Sequence, residues 1–255
     1  MKNLLLAAAL ALLAAGCATT PDNTVFQMST IDALLVGVYD GHLSGRDLLR
    51  QGNFGIGTFE ALDGEMVVLD GRIYQVKADG SVVEVNHDAS TPFASVCFFN
   101  PDIRFDLTPA SDFAAIEEQV NRIAPNQNLF CAVRISGKFK SMHTRSVPRQ
   151  QKPYPPLKQV TARQPEFFME DIEGDVVGFR CPEFVKGVNV PGFHLHFISR
   201  DRTQGGHILG FELAEGRGEV DLLSRFHLQL PQDAESFAAA DLSRDRSEEL
   251  HAVEK

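Results

Sequence analysis

EMVVLDGRIYQVKADGSVVEV, residues 65–85, is the stretch that decides the fold. It contains three runs rich in β-branched and aromatic residues, at 65–69, 72–76 and 81–85. The pairs Asp70-Gly71 and Asp79-Gly80 separate these runs, and Asp-Gly between two such runs is a strong signal for a tight hairpin turn. The sequence therefore predicts an antiparallel β-meander here.

The rest of the chain continues the β-rich pattern with few helices. Further strand-like runs lie at 129–135, 167–169, 176–180, 193–198, 208–213 and 225–230. Residues 109–124 repeat apolar side chains at helical spacing and predict a helix capped by Thr108 or Ser111. Ser44-Gly-Arg-Asp47 resembles a capping box at the start of another helix. These patterns predict an α+β (mixed α/β) fold with mainly antiparallel or mixed sheets.

The composition of short segments predicts the domain organisation. Residues 148–156 contain four prolines, which exclude regular structure and indicate a linker. We therefore expect an N-terminal β-rich subdomain at 29–150 and a C-terminal β-rich subdomain at 151–255. Residues 18–28 are small and polar, and predict a tether.

Length and charge limit the possible functions. With 255 residues, 44% of them hydrophobic, the chain can build a sizeable core. It has 24 Lys and Arg against 34 Asp and Glu, a formal net charge of −10, and no basic run. A chain of this charge is poorly suited to bind nucleic acid phosphates, so we expect no nucleic acid partner.

The N-terminus, residues 1–17, reads as a signal peptide of the lipoprotein type. Residues 4–15 are apolar throughout, a run too short to span a bilayer. The run closes with Leu13-Ala-Ala-Gly-Cys17, which resembles a bacterial lipobox, so we expect Cys17 to be lipidated. An ordinary signal peptide cut nearby is the alternative. The expected location is outside the cytoplasm, periplasmic or on the cell surface, with membrane contact only through a lipid anchor.

The remaining cysteines, Cys97, Cys131 and Cys181, have neither the spacing of a zinc knuckle nor that of a redox pair. Two of them have flanks typical of buried strand residues. We expect no disulfide of structural importance.

Three of the eight histidines fall within residues 192–207. On a strand, His194 and His196 point to the same face, because side chains alternate. The Gly-rich segment 201–206 allows the chain to turn back and to place His207 across from His196. Cross-strand neighbours on one face lie about 4.5–5.5 Å apart at Cβ. Three imidazoles that meet at one point, with positions left for water or substrate, are the ligands of an open catalytic zinc site.

Other interpretations of these histidines remain open. A lone histidine on a strand is usually a satisfied polar group, and manganese, iron or copper could replace zinc. A cupin-type enzyme also uses His-x-His, but typically with a glutamate a few residues later and a distant further histidine. A non-catalytic periplasmic lipoprotein that binds a metal or a small acid is an alternative from a different class.

Several motifs together resemble the alpha-acetolactate decarboxylase family, in the order that the family has them, from about residue 30 to the C-terminus. They are GIGTFE (55–60), LDGEM (62–66), TPF (91–93), RSV (145–147), KPYPPL (152–157), PGFHLHF (191–197) and GGH (205–207).

The resemblance implies a metal-dependent decarboxylation of 2-acetolactate to acetoin, in which a zinc ion acts as a Lewis acid and stabilises an enediolate. It also implies two β-rich subdomains and a homodimer made by joining sheets. The implied site residues are the metal ligands His194, His196 and His207, the catalytic residues Glu65, Arg145 and Glu254, and the substrate-binding residues Thr58 and Arg145.

Overall fold

The computed structural model describes residues 23–107 and 109–254. The predicted signal peptide, including Cys17, and the predicted cap Thr108 lie outside the described residues. Within the described part, no helix combines the length and the apolar character needed to cross a membrane.

The strands are β1 (Thr24–Met28), β2 (Leu43–Ser44), β3 (Phe54–Thr58), β4 (Glu65–Leu69), β5 (Arg72–Val76), β6 (Val82–Glu84), β7 (Ser90–Thr91), β8 (Ala94–Cys97), β9 (Ile103–Asp106), β10 (Ser111–Asp112), β11 (Phe130–Arg145), β12 (Glu166–Cys181), β13 (Gly192–Ser199), β14 (Gly205–Leu223) and β15 (Arg225–Gln229). The α-helices are α1 (Ile31–Leu35), α2 (Gly45–Leu48), α3 (Phe113–Ile123), α4 (Leu157–Thr161), α5 (Glu235–Ala239) and α6 (Ser247–Glu254), with short 3-10 helices at Glu60–Leu62 and Glu183–Val185.

The predicted meander forms one side of a seven-stranded sheet with the order β15-β1-β8-β3-β4-β5-β6. The strands β4, β5 and β6 pair antiparallel as predicted, with a positive φ at Asp70 and Gly71 in the first turn. Only β15 pairs in parallel with its neighbour, β1. The predicted α+β fold class is confirmed.

The second sheet has six strands, all paired antiparallel, with β11 between β12 and β14. The hairpin β13–β14 carries His194, His196 and His207. Strand β13 pairs with both β12 and β14, so that β11, β12, β13 and β14 form a closed circuit of paired strands. Several of the short runs in the sequence are parts of these long strands: 167–169 and 176–180 both lie in β12.

The two sheets pack face to face through a continuous apolar cluster. Ile56 and Val67 of the seven-stranded sheet belong to the same cluster as Ala132 and Phe179 of the six-stranded sheet, and all four are buried. Burial of Ile56, Val67 or Phe179 contributes about 2 kcal/mol each. The packing fixes β4 of one sheet beside β13 of the other.

Residues of α1, α4 and α6 pack together in one apolar cluster, whereas α3 packs on the six-stranded sheet. Ser44 caps α2 as predicted: its hydroxyl accepts from the Asp47 N–H and donates to the Asp47 carboxylate. Helix α3 buries Ile116 and Val120 against the six-stranded sheet. It begins at Phe113, later than predicted, because the Asp112 carboxylate accepts from the Ala115 N–H and caps it.

The predicted tether is corrected, and the two sheets divide the chain at a different place from the predicted subdomain boundary. Residues 24–28 of the predicted tether form β1, which lies inside the seven-stranded sheet between β15 and β8. The sheets divide the chain between Cys97 and Ile103 rather than at residue 150, and β15 returns to the first sheet. Residues 148–156 contain no helix or strand, but they follow β11 within the part of the chain that forms the second sheet.

Candidate metal centre

The histidine hairpin forms as predicted. His194 and His196 lie two residues apart on β13 and point to one face, and His207 on β14 pairs directly with His196. The three ring centroids lie 5.0 to 5.4 Å apart. One ligand nitrogen from each ring lies within 4.8 Å of the others, a distance that allows all three to bind one ion.

Glycine next to His207 makes this approach possible. Gly206 has a φ of +137°, and a Cβ on it would lie 2.4 Å from the Arg145 carbonyl oxygen. A side chain at this position would therefore push β14 away from β11. The Thr144 hydroxyl donates to the Gly205 carbonyl at 2.9 Å and holds the same segment in place.

The donor set fits a metal ion. The Met66 carbonyl can only accept, so the Nδ1–H of His196 donates to it at 2.9 Å, and Nε2 of His196 carries the lone pair. The Nε2 atoms of His196 and His207 are buried without a hydrogen-bond partner. Buried polar atoms are rarely left unpaired, and a cation between these nitrogens would satisfy them.

Burial also keeps these imidazoles neutral, which is the form that binds metals. Loss of hydration lowers the pKa of His194 to about 3, with a smaller contribution from the charge of Arg145. Burial likewise holds the pKa values of His196 and His207 well below the ordinary value.

Two carboxyl groups complete the ring around this point. Glu65 Oε2, on β4, lies 3.7 Å from His196 Nε2. Glu254 Oε2, near the C-terminus on α6, lies 3.6 Å from His194 Nε2 and 3.8 Å from His207 Nε2. Burial raises the pKa of Glu65 to about 7, although Arg145 lowers it, and burial raises the pKa of Glu254 to about 7 as well. Both carboxyls can therefore exchange a proton near neutral pH.

Arg145, the last residue of β11, is buried beside these carboxyls. Its Nη1 donates to the Gln164 side chain at 2.7 Å, and its Nη2 donates to the Val253 carbonyl. Its Nε is buried and has no partner. The guanidinium is thus held on two sides, and it retains unused N–H groups.

The seven predicted site residues line one cavity of about 40 Å³, enough for an ion or a water molecule. They are Thr58, Glu65, Arg145, His194, His196, His207 and Glu254. The Thr58 hydroxyl donates a hydrogen bond to the Gly64 carbonyl at 2.7 Å. The Thr58 side chain therefore lines the cavity, but its only donor is already engaged.

Apolar side chains also line the cavity and form its apolar wall, and sequence reasoning missed them. They are Ile31, Leu34, Leu62, Phe93, Val147 and Leu157. Sequence reasoning also missed Gln164 and the carbonyls of Met66 and Val253. The carbonyls carry no residue-type signal, and Gln164 lies in a loop without a pattern.

The comparisons with known proteins show the family of the chain. The family model for alpha-acetolactate decarboxylase matches residues 25–244. The chain belongs to the alpha-acetolactate decarboxylase family. It is therefore an enzyme of the carboxy-lyase class, as predicted.

Relatives with this name extend over most of the chain. The alpha-acetolactate decarboxylase of Methanosarcina mazei is 46% identical over 233 residues, which are 91% of this chain and 81% of the relative. That of Methylococcus capsulatus is 44% identical and covers 91% of this chain and 89% of the relative. The crystal structure of alpha-acetolactate decarboxylase from Bacillus subtilis strain 168 superimposes with a TM-score of 0.88 at 35% identity, covering 91% and 99%.

Family membership decides between the alternatives left open by the sequence. A cupin-type enzyme and a non-catalytic binding lipoprotein both explained the histidine cluster alone. Neither explains a family match over most of the chain.

Proposed function

We propose that this family member converts 2-acetolactate to acetoin and carbon dioxide with a divalent metal ion, zinc by preference, held by His194, His196 and His207. The observation that carries the proposal is the convergence of three neutral, buried imidazoles, two of which have unpartnered Nε2 atoms. Three imidazoles suit zinc, and they also accept other divalent ions.

The chemistry requires that negative charge be stabilised and that one proton be supplied. When the carbon–carboxylate bond breaks, carbon dioxide leaves and its bonding electron pair stays as an enediolate. A bound divalent cation supplies Lewis-acid stabilisation of that charge. A proton must then reach the carbon that lost the carboxylate.

Arg145 is placed to bind the substrate carboxylate. Its anchors at Gln164 and Val253 fix the plane of the guanidinium, and the buried, unpaired Nε–H remains available as a donor. A guanidinium stays charged at all relevant pH values, so it orients the leaving group but does not supply the proton.

The two carboxyls are the proton carriers in this proposal. Each lies within 4 Å of a histidine nitrogen of the proposed metal site, so each can accept a proton from the bound substrate or give one to it. Glu65 holds the hydroxyl proton of the substrate. Either carboxyl, when protonated, can give one proton to the carbon. The proton that Glu65 holds returns to the hydroxyl oxygen, and the carboxylate left behind takes up one proton from water.

The apolar wall, which includes Leu34, Leu62 and Leu157, is the surface that meets the two methyl groups of the substrate. It also excludes water, which strengthens each electrostatic contact inside the cavity.

Acetoin production tests the proposal. Purified protein is incubated with racemic 2-acetolactate before and after metal removal with a chelator, and the spontaneous rate is subtracted. We expect acetoin from the metal-loaded protein, loss of activity after chelation, and recovery on adding zinc. His196→Ala should remove both metal and activity, whereas His87→Ala, at an exposed histidine, should change neither. No acetoin above the spontaneous rate would contradict the proposal.

We also propose that the enzyme is a homodimer. Among the described strands, β15 pairs only with β1, which leaves the other edge of β15 available to a second copy. Light scattering coupled to size-exclusion chromatography is expected to give twice the chain mass. A monomer at micromolar concentration would contradict the proposal.

A further inference from the structure

Asp175, on β12, is a buried carboxylate that accepts four hydrogen bonds. Its Oδ1 accepts from Arg134 Nε at 3.2 Å, from Arg134 Nη2 at 3.1 Å and from the Ser136 hydroxyl at 2.6 Å. Its Oδ2 accepts from Arg202 Nη1 at 3.1 Å. The Asp175 side chain is 11% exposed. Such a carboxylate is costly to bury, and its bonds to charged donors are stronger than ordinary hydrogen bonds.

Arg202 connects this carboxylate to the turn of the histidine hairpin. The residue lies in the turn between β13 and β14 with a φ of +60°, and its Nη1 also donates to the Ser199 carbonyl at 3.1 Å. Its guanidinium lies 5.6 Å from the centre of the Tyr74 ring, on β5 of the other sheet. Arg202 thus ties the turn to both sheets.

Arg134 extends the network to the hairpin that carries Glu65. Its Nη1 donates to Asp70 at 3.1 Å, in the turn between β4 and β5, and Glu65 is the first residue of β4. One network of charged side chains therefore contacts the turns of both hairpins that supply the site.

We propose that Asp175 and Arg202 are positioning residues, which set the histidine hairpin against the Glu65 hairpin so that the metal ligands and the carboxyl meet at one point. The inference rests on the proposed metal-dependent function. The site needs this support because its residues come from two different sheets. Glu65 Oε2, on one sheet, lies only 3.7 Å from His196 Nε2, on the other. Displacements of about 0.5–1 Å are enough to impair such a site.

Three variants and a matched control test the inference. Arg202→Gln removes the charge but keeps a polar side chain of similar length, and Asp175→Asn removes the charge of the carboxylate. Arg202→Lys retains the charge and can reach one acceptor. The control is Arg200→Gln, in the same turn, because Arg200 is 81% exposed and pairs with Glu173 at the surface.

The measurements are the cobalt(II) dissociation constant, obtained by competition with a chromophoric chelator, and the visible spectrum of the cobalt-saturated protein. We expect about tenfold weaker binding in Arg202→Gln and Asp175→Asn, the range found for groups that support metal ligands. The cobalt spectrum at saturation should shift in both. Arg202→Lys should recover part of the affinity, and Arg200→Gln should match the wild type.

The outcomes separate the two proposals. Wild-type affinity and an unchanged spectrum in both variants would overturn the inference and leave the proposed function intact. A wild-type protein that binds no metal would overturn both. Chemical unfolding of the metal-free proteins identifies a variant that does not fold, and if Asp175→Asn fails in this way, Arg202→Gln decides.

Discussion

Glu65→Gln should stabilise the metal-free protein at alkaline pH and change little at acidic pH. The Glu65 carboxyl has a pKa of about 7 in the folded state against an ordinary value of 4.5, because burial disfavours its charged form. The folded protein therefore binds this proton more tightly than the unfolded chain. The stabilisation is complete below pH 4.5 and is lost as the pH rises through 7.

The magnitude follows from the same pKa difference. It corresponds to about 3 kcal/mol of unfolding free energy, which is lost once the pH is well above 7. Glutamine resembles the protonated form and has no such loss. The buried histidines, whose lowered pKa values destabilise the fold on the acidic side, are common to both proteins and cancel in the comparison.

The assay is urea unfolding at pH 5 and pH 8 after chelation, with the exposed Glu118→Gln as control. We expect Glu65→Gln to exceed the wild type in stability at pH 8, by up to about 3 kcal/mol, and to match it more closely at pH 5. Added zinc should stabilise the wild type more than the variant, since a cation compensates the carboxylate. Equal losses of stability from pH 5 to pH 8 in wild type and variant would refute the reasoning.

Four further predictions concern Arg145, Gly206, Cys17 and strand β1. Arg145→Lys should retain metal but lose about 100-fold in kcat, because an ammonium cannot replace the fixed guanidinium. Normal turnover in this variant would show that Arg145 is not needed to bind the substrate carboxylate. Gly206→Ala should cost about 1–3 kcal/mol of stability and weaken metal binding, because its Cβ would clash with the Arg145 carbonyl. Gly210→Ala serves as control, since a Cβ there has no neighbour within 4 Å. Equal effects of the two substitutions would contradict the prediction. We propose that the enzyme is an exported lipoprotein. The wild type should therefore be labelled by palmitate, whereas Cys17→Ser should not. A wild type without label would contradict the proposed lipid anchor. Removal of residues 1–22 should leave an active domain, whereas removal through Met28 deletes β1 and should prevent folding.

The histidine hairpin could be predicted from the sequence because it is a local structure. Side-chain alternation places His194 and His196 on one face, and a Gly-rich turn returns His207 to the same place. The turns of the meander were predictable for the same reason.

The remaining site residues depend on contacts between distant parts of the chain. Glu65 reaches the histidines through the packing of two sheets, and Glu254 reaches them from the C-terminal helix. No local pattern encodes these distances, so only the resemblance to the family indicated them.

Strand β1 was missed because it has only five residues and directly follows a polar segment, and because one of its buried residues is polar. Gln27 is completely buried, yet it is polar, and its side-chain amide donates to the Ser29 and Val188 carbonyls. Its neighbours β8 and β15 lie far away in sequence. The division of the chain between the two sheets could not be predicted either, since the return of the chain to β15 has no local signal.

The most direct test of the metal centre is a crystal structure of the zinc-loaded protein, with anomalous diffraction measured on both sides of the zinc absorption edge. The account predicts one strong anomalous peak bound by the Nε2 atoms of His194, His196 and His207, with the Glu65 and Glu254 carboxyls beside it. No peak at this position, or a zinc ion held by other residues, would contradict it.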